Sequence, residues 1–389
     1  MSNALEIITR GAVQVVPVAD LEKKLALNRP LIVKFGIDPT SADLHLGHAV
    51  VLTKLRELQD LGHTIVFLIG DFTARIGDPT GKSKTRPPLS KEQINENLQT
   101  YINQVGRILD REKITIAFNS TWLEKLNFDD IIRLCSMFTV ARIIERDDFQ
   151  KRLQAGTPIA MHELLYPMIQ AYDSVELNAD IELGGTDQLF NLLCGRFLQE
   201  QFGKAPQVAI AMPLLEGLDG KQKMSKSLNN YIGLTQEPTQ VFGKLMSISD
   251  ELMWRYYQVL LGMPADEIAR MQAQDVHPKE RKKQLAHAII TRFWSSEDAD
   301  NAQKQFEAVF EQRDFSQAQQ ISVPEQSPIW IVDLLKYLGS IKTSSEAKRL
   351  IESGAVIIDG IPITDFKAQI APVQGMQIKV GKHRIYQLC

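Results

Sequence analysis

In the stretch DLHLGHAVVLTK, His45 and His48 stand three residues apart around Gly47. At helical spacing the two imidazoles share one face, and a glycine between them lets a flat base approach the backbone. Asp38, Pro39 and Thr40 read as a turn just upstream, so a strand end feeds a helix start. That junction is the usual place for a nucleotide in a parallel sheet, and unpaired amides at a helix N-terminus favour phosphate. No third ligand stands nearby, which disfavours a metal. HxGH by itself leaves open a surface helix that happens to carry two histidines.

Three more stretches carry chemistry. IGDPTGKSKTR is not a P-loop, because Ile76 occupies the position where that pattern needs glycine. It sets Asp78 beside Lys82, Lys84 and Arg86, a carboxylate next to a basic arm, which suits a zwitterion plus a polyphosphate. GLDGKQKMSKSLNN crowds Lys221, Lys223 and Lys226 between Gly220 and Asn229 directly after an apolar strand. Lysines placed this way close over a triphosphate. Tyr166, Gln170 and Asp173 fall on one helical face among the apolar Leu164, Leu165, Met168 and Ile169. His162-Glu163 starts a zinc-protease pattern, but Tyr166 stands where the second histidine belongs.

The elements that must hold these residues alternate. RPLIVKFGID and HTIVFLIGD read as strands, HAVVLTKLRELQDLG as a helix closed by Gly62, and KAPQVAIAMPLL as a further strand. This rhythm implies a parallel sheet with covering helices. Residues 121–173 are mostly helical. Beyond Pro238 the pattern becomes helical only, RDFSQAQQISVPEQSP reads as a polar linker, and the tail from Ile329 is a small α+β module. In that tail Thr343 and Glu346 form a capping box, and Gly381 and Lys382 turn a hairpin.

At 389 residues, with 44% hydrophobic and 23% charged residues, the chain is a soluble globular protein of two or three domains. No apolar run reaches membrane-spanning length and no secretory signal opens the chain. Cys135, Cys194 and Cys389 are far apart, against a disulfide framework. These features point to the cytoplasm. From Pro328 onward eight Lys and Arg face five Asp and Glu, a net charge of +3, while the remainder carries −6. A basic tail on an acidic body is suited to nucleic acid.

HLGH together with Lys223-Met224-Ser225-Lys226-Ser227 resembles the two signatures of the class I aminoacyl-tRNA synthetases. FGIDPT, IGDPTGK, YPMIQAYD and GGTDQ extend the similarity along the chain to the bacterial tyrosyl-tRNA synthetases, and the tail resembles their ribosomal-protein-type RNA-binding module. The resemblance implies an α/β fold: a Rossmann-like catalytic domain at 1–235 with a helical dimerisation insertion near 121–156. An α-helical domain at 236–312, a linker at 313–328 and the RNA-binding module at 329–389 follow.

It implies ATP-dependent activation of L-tyrosine and transfer to tRNA(Tyr) by a homodimer. Mg²⁺ enters with ATP, and no structural metal is expected. Asp78, Tyr166 and Gln170 hold the ammonium group, Asp173 accepts a hydrogen bond from the phenol, and Gln188 lies near the carboxyl group. Thr40, Gly47, Gly185, Asp187, Leu214 and Leu215 line the ATP site. His45, His48, Lys82, Arg86, Lys223 and Lys226 stabilise the departing pyrophosphate. Better-known members carry tyrosine and cysteine where Lys34 and Phe35 precede GIDPT here. Tryptophan–tRNA ligase and a nucleotidyltransferase that does not act on tRNA are the alternatives.

Overall fold

The computed structural model describes residues 2–39, 43–78, 100–310, 318–324, 326–341, 343–359, 361–381 and 384–389. The chain forms two compact units, Met1–Glu237 with Lys244–Ser295, and Pro238–Gly243 with Ser296–Cys389.

The first unit is built on a six-stranded sheet. Its strands are β1 (Gln14–Val16), β2 (Ile32–Ile37), β3 (Thr64–Ile69), β4 (Ile114–Phe118), β5 (Ile181–Gly185) and β6 (Val208–Met212). They lie in the order β1-β6-β5-β2-β3-β4. All pairings are parallel except the edge strand β1, which runs antiparallel to β6. β3 and β6 are almost wholly buried, as expected for parallel strands covered on both faces. The chain winds outward from β2 through β3 to β4, then returns to β5 on the other side of β2. The strand order therefore reverses at the β2/β5 boundary, where α/β sheets bind ligands beyond their strand C-termini.

Three helices frame that boundary. The Leu46–Asp60 helix follows β2 and buries Leu46, Ala49, Val50, Leu52 and Leu55; Gly62, at φ 87°, lets the chain turn into β3. The Met161–Leu177 helix precedes β5 and the Leu189–Gln201 helix follows it. They share a core through Ala171, Val175, Cys194 and Leu198. Pro167 sits inside the Met161–Leu177 helix, not at its start. The lost backbone bond is tolerated because the helix is buried on its sheet side.

Between β4 and that helix lie four short helices, Ser120–Leu123, Phe128–Ser136, Val140–Ile144 and Asp147–Gln154. The Asn127 side chain caps the second and Thr139 the third. The Asp250–Leu260, Ala265–Gln272 and Pro278–Phe293 helices belong to the same unit as the sheet. Their packing is apolar, through Leu252, Tyr256, Leu260, Leu285 and Ile289, and the Tyr257 hydroxyl donates to the Arg281 carbonyl at 2.9 Å.

The second unit carries the Ser296–Phe310 helix and a five-stranded sheet. The sheet holds β7 (Gln319–Ile321), β9 (Val356–Ile358), β10 (Ile361–Pro362), β12 (Gln377–Val380) and β13 (Arg384–Leu388) in the order β10-β9-β12-β13-β7. β8 (Ile329–Trp330) pairs with β11 (Gln369–Ile370). The Ile331–Tyr337 and Ser344–Glu352 helices close the core around Ile331, Leu334, Leu335, Ile351, Val356 and Ile378. One expectation changes here. The polar stretch read as a linker contributes β7, which pairs in parallel with β13; an edge strand is held by backbone bonds, so glutamines serve. Thr343 caps the Ser344–Glu352 helix through the Glu346 amide, while the Glu346 carboxylate lies 3.9 Å from Arg384. Lys382 lies outside the described residues.

Candidate functional site

A cavity of about 340 Å³ opens where the C-terminal ends of β2 and β5 meet the N-terminus of the Leu46–Asp60 helix. This is within the size range of small-molecule sites. Its lining includes His45, Gly47, His48, Asp78, Tyr166, Gln170, Asp173, Gly185, Asp187, Gln188, Leu214, Leu215 and Lys223. Thirteen expected residues thus converge from six separate stretches of chain. Lys226 is not part of the lining. Thr40, Lys82 and Arg86 lie outside the described residues.

His45 is the N-cap of its helix. Its Nδ1 accepts the Gly47 amide at 3.2 Å, and its own amide donates to His48 Nδ1 at 3.2 Å. With both Nδ1 atoms accepting, the proton of each neutral ring is on Nε2. Burial, then the neighbouring His48 and the lysines Lys226 and Lys223, push His45 down to about 2. Burial pushes His48 down to about 4, against a raising bond from the His45 backbone. Both rings are therefore neutral donors near pH 7. This placement of His45 requires Gly47, since a Cβ there would stand 2.9 Å from the His45 ring and displace it.

The same cavity is lined by a hydrogen-bonded set of acids. Tyr166 donates its phenol proton to Asp38 Oδ2 at 2.9 Å, and Thr73 donates to Asp38 Oδ1 at 2.7 Å. Burial and the nearby Asp38 and Asp78 raise Tyr166 well above the ordinary phenol range, so it stays a donor. Asp173 is 2% exposed and accepts from Trp122 Nε1 at 2.8 Å and Asn119 Nδ2 at 3.3 Å. Burial pushes its carboxyl up to about 7, against the lowering effects of Lys34, Trp122 and Asn119. Gln188 donates to Asp78 at 2.9 Å, and Asn191 donates to both Gln170 and Gln188 at 3.0 Å. A carboxylate takes about four donors, so a phenol can join Trp122 and Asn119 on Asp173.

The Lys223–Ser227 stretch contributes Lys223, Met224 and Ser225 to the lining. Met224 is buried, and its amide donates to the Leu215 carbonyl at 2.7 Å. The Asn230 side chain ties the segment down, accepting from the Ser225 amide at 2.8 Å and donating to the Lys223 carbonyl at 3.2 Å. Lys223 pairs with Asp187 at 2.8 Å and Lys226 with Asp43 at 2.5 Å. Both pairs are partly exposed, so each is worth little in stability and is readily exchanged for phosphate. Among the described residues no group of three or more His, Cys, Asp and Glu could hold a metal ion, and no helix is long and apolar enough to cross a membrane.

Residues 26–311 match the profile of the class I tRNA synthetases (W and Y), and residues 329–370 match the S4 domain. A tyrosine–tRNA ligase of Aquifex aeolicus (strain VF5) is 49% identical over 384 residues, covering 99% of this chain and 98% of that protein. One from Francisella tularensis is 51% identical over 393 residues, covering 100% and 98%. The chain belongs to the tyrosyl-tRNA synthetase family. Solved family structures share the fold at lower identity. The truncated mitochondrial enzyme of Aspergillus nidulans aligns with a TM-score of 0.64 at 21% identity, over 79% of this chain and 94% of that one. The Archaeoglobus fulgidus enzyme, solved with L-tyrosine, aligns with a TM-score of 0.62 at 22% identity, over 78% and 99%.

Sequence reading missed Asp38, Thr73, Asn119, Trp122, Glu182 and Asn191 as members of the site. Asp38 had a usable signal, an acid at the C-terminal end of a strand opening a turn. Asn119 and Trp122 had none, because their importance arises only when the short helix after β4 packs onto Asp173.

Proposed function

We infer that this chain is a tyrosine–tRNA ligase that joins ATP and L-tyrosine to tyrosyl-adenylate, releases pyrophosphate, and passes the tyrosyl group to tRNA(Tyr). The observation that carries the reading is a buried carboxylate, Asp173, lining one cavity together with a neutral-histidine helix N-terminus and Lys223.

The phenol of tyrosine donates to Asp173, and the ammonium group sits among Asp78, Tyr166 and Gln170, with Gln188 near the carboxylate. That carboxylate is itself the nucleophile, so no general base is needed. The chain aligns it with the α-phosphorus and stabilises the charge that grows on pyrophosphate. His45 and His48 donate from Nε2, and Lys223, Lys226, Lys82 and Arg86 supply positive charge. The ribose and adenine lie along Thr40, Gly47, Gly185, Asp187, Leu214 and Leu215. Mg²⁺ arrives as part of the ATP substrate, held by its phosphates.

The chain works as a cytoplasmic homodimer. Exposed Phe128, Ile132, Val140, Leu153 and Met161, on or just after the insertion at 121–156, support that assembly. The domains run 1–235, 236–312 and 329–389, and of the residues 313–328 between the last two, Gln319–Ile321 add β7 to the sheet of the tail. The basic tail, matching the S4 domain, contacts tRNA phosphates. Pyrophosphate exchange into ATP with tyrosine, tryptophan or phenylalanine tests the reading. Tyrosine alone should support exchange; exchange with tryptophan alone would refute it.

A further inference from the structure

Lys34 on β2 and Glu182 on β5 are direct cross-strand partners, and both line the cavity. Their charged ends are 2.9 Å apart, with side chains 0% and 1% exposed. The Lys34 ammonium donates to the Ser174 hydroxyl at 2.8 Å and to the Gln170 carbonyl at 3.1 Å, and the Glu182 carboxylate stands beside it as the ion-pair partner. Gln170 and Ser174 flank Asp173 on the Met161–Leu177 helix. Glu182 closes the clamp, accepting from Gln170 Nε2 at 3.3 Å, from Ser174 Oγ at 3.0 Å and from Gln207 Nε2. An apolar pair at these positions would hold the sheet as well or better, since burying two charges carries a large desolvation cost. The pair therefore calls for an explanation other than sheet stability.

We propose that Lys34 is a positioning residue for recognition of the tyrosine hydroxyl: with Glu182 it clamps the helical turn carrying Asp173 and keeps that carboxylate an acceptor. The proposal rests on Asp173 receiving the phenol. The groups that face Asp173 are Lys34 and Glu182 from the sheet, Asn119 and Trp122 from the segment after β4, and Tyr166 from its own helix. Burial drives Asp173 toward its protonated form, Lys34 opposes this most strongly, and Glu182 adds to it. Without Lys34, Asp173 would hold its proton at neutral pH and lose its preference for a donating phenol.

The test is kcat/KM for tyrosine and for phenylalanine in pyrophosphate exchange, from pH 6 to 9, with the KM for ATP measured alongside. Full-length wild type is compared with Glu182→Gln and with Lys34→Met/Glu182→Gln. In wild type, kcat/KM for tyrosine should fall as pH drops through about 7. In the double variant the midpoint should rise by about one unit, and preference for tyrosine over phenylalanine at pH 7 should fall roughly tenfold, with ATP unaffected. Glu182→Gln keeps an acceptor for Lys34 and removes a negative charge, so its midpoint should move down.

Opposite movements are a signature that structural damage does not produce. Midpoints that move together or not at all overturn the proposal, as does unchanged preference in a folded double variant. Glu182→Gln alone decides the matter if the double variant does not fold. Wild type without tyrosine-dependent exchange, or Asp173→Asn with full preference, would instead overturn the reading of the site on which the proposal rests.

Discussion

Replacing Asp173 with asparagine should stabilise the protein while weakening its grip on tyrosine. An aspartate ordinarily titrates near 3.8, and burial pushes Asp173 up to about 7. At pH 8 the folded chain holds a charge that the unfolded chain gives to water, a penalty on the order of 4 kcal/mol. The folded pKa lies above the unfolded one. Stability from this group is therefore fully present below about 3.8 and lost as pH rises through about 7.

Asparagine carries no charge at any pH, and its Oδ1 can still accept from Trp122. Its amide would face Asn119 Nδ2, and the Asn119 Oδ1 already accepts from the Phe72 amide at 3.0 Å. One hydrogen bond is therefore lost, about 1–2 kcal/mol. The net gain at pH 8 is about 2 kcal/mol, shrinking to zero or below by pH 4. Urea unfolding of wild type and variant from pH 4 to 8.5 measures the difference, in which other titrating groups cancel. Preference for tyrosine over phenylalanine should fall about tenfold to a hundredfold, the scale of one hydrogen bond to a charged group. A stability difference that does not change with pH, or a variant less stable at pH 8, would refute the claim that Asp173 carries a buried charge.

Lys226→Ala should slow single-turnover adenylate formation by about a hundredfold and leave tyrosine affinity intact, because the lysine meets pyrophosphate mainly in the transition state. Since His45 and His48 are pushed down to about 2 and about 4, rapid-quench rates should show no histidine limb between pH 6 and 9. His48→Asn, which keeps an N–H, should lose less rate than His48→Ala. Removing the tail should spare pyrophosphate exchange, lower tRNA charging and weaken the salt dependence of tRNA binding. The cut belongs after Phe310; at Glu325, outside the described residues, it would leave β7 without its partner β13.

The site was most legible where its residues are contiguous. His45, Gly47 and His48 announce a helix N-terminus because a cap is a local structure, and Lys223 to Ser227 form one loop. Tyr166, Gln170 and Asp173 were legible because helical periodicity puts them on one face. Lys34 and Glu182 were not, since their meeting depends on β2 and β5 becoming neighbours across 148 positions of chain. β4 and β5 went unread for a related reason, as short strands draw their stability from the sheet more than from their own pattern. β7 shows the limit at its extreme, since Gln319 and Gln320 read as linker until β13 supplies partners for their backbone.

The most direct measurement is the identity of the intermediate. The full-length protein is mixed with ATP, Mg²⁺ and equal amounts of tyrosine, tryptophan and phenylalanine, and the retained adenylate is identified by mass before and after tRNA is added. Tyrosyl-adenylate alone should accumulate, then vanish as tyrosyl-tRNA appears. Tryptophanyl-adenylate, or no adenylate on a folded protein, would contradict the account.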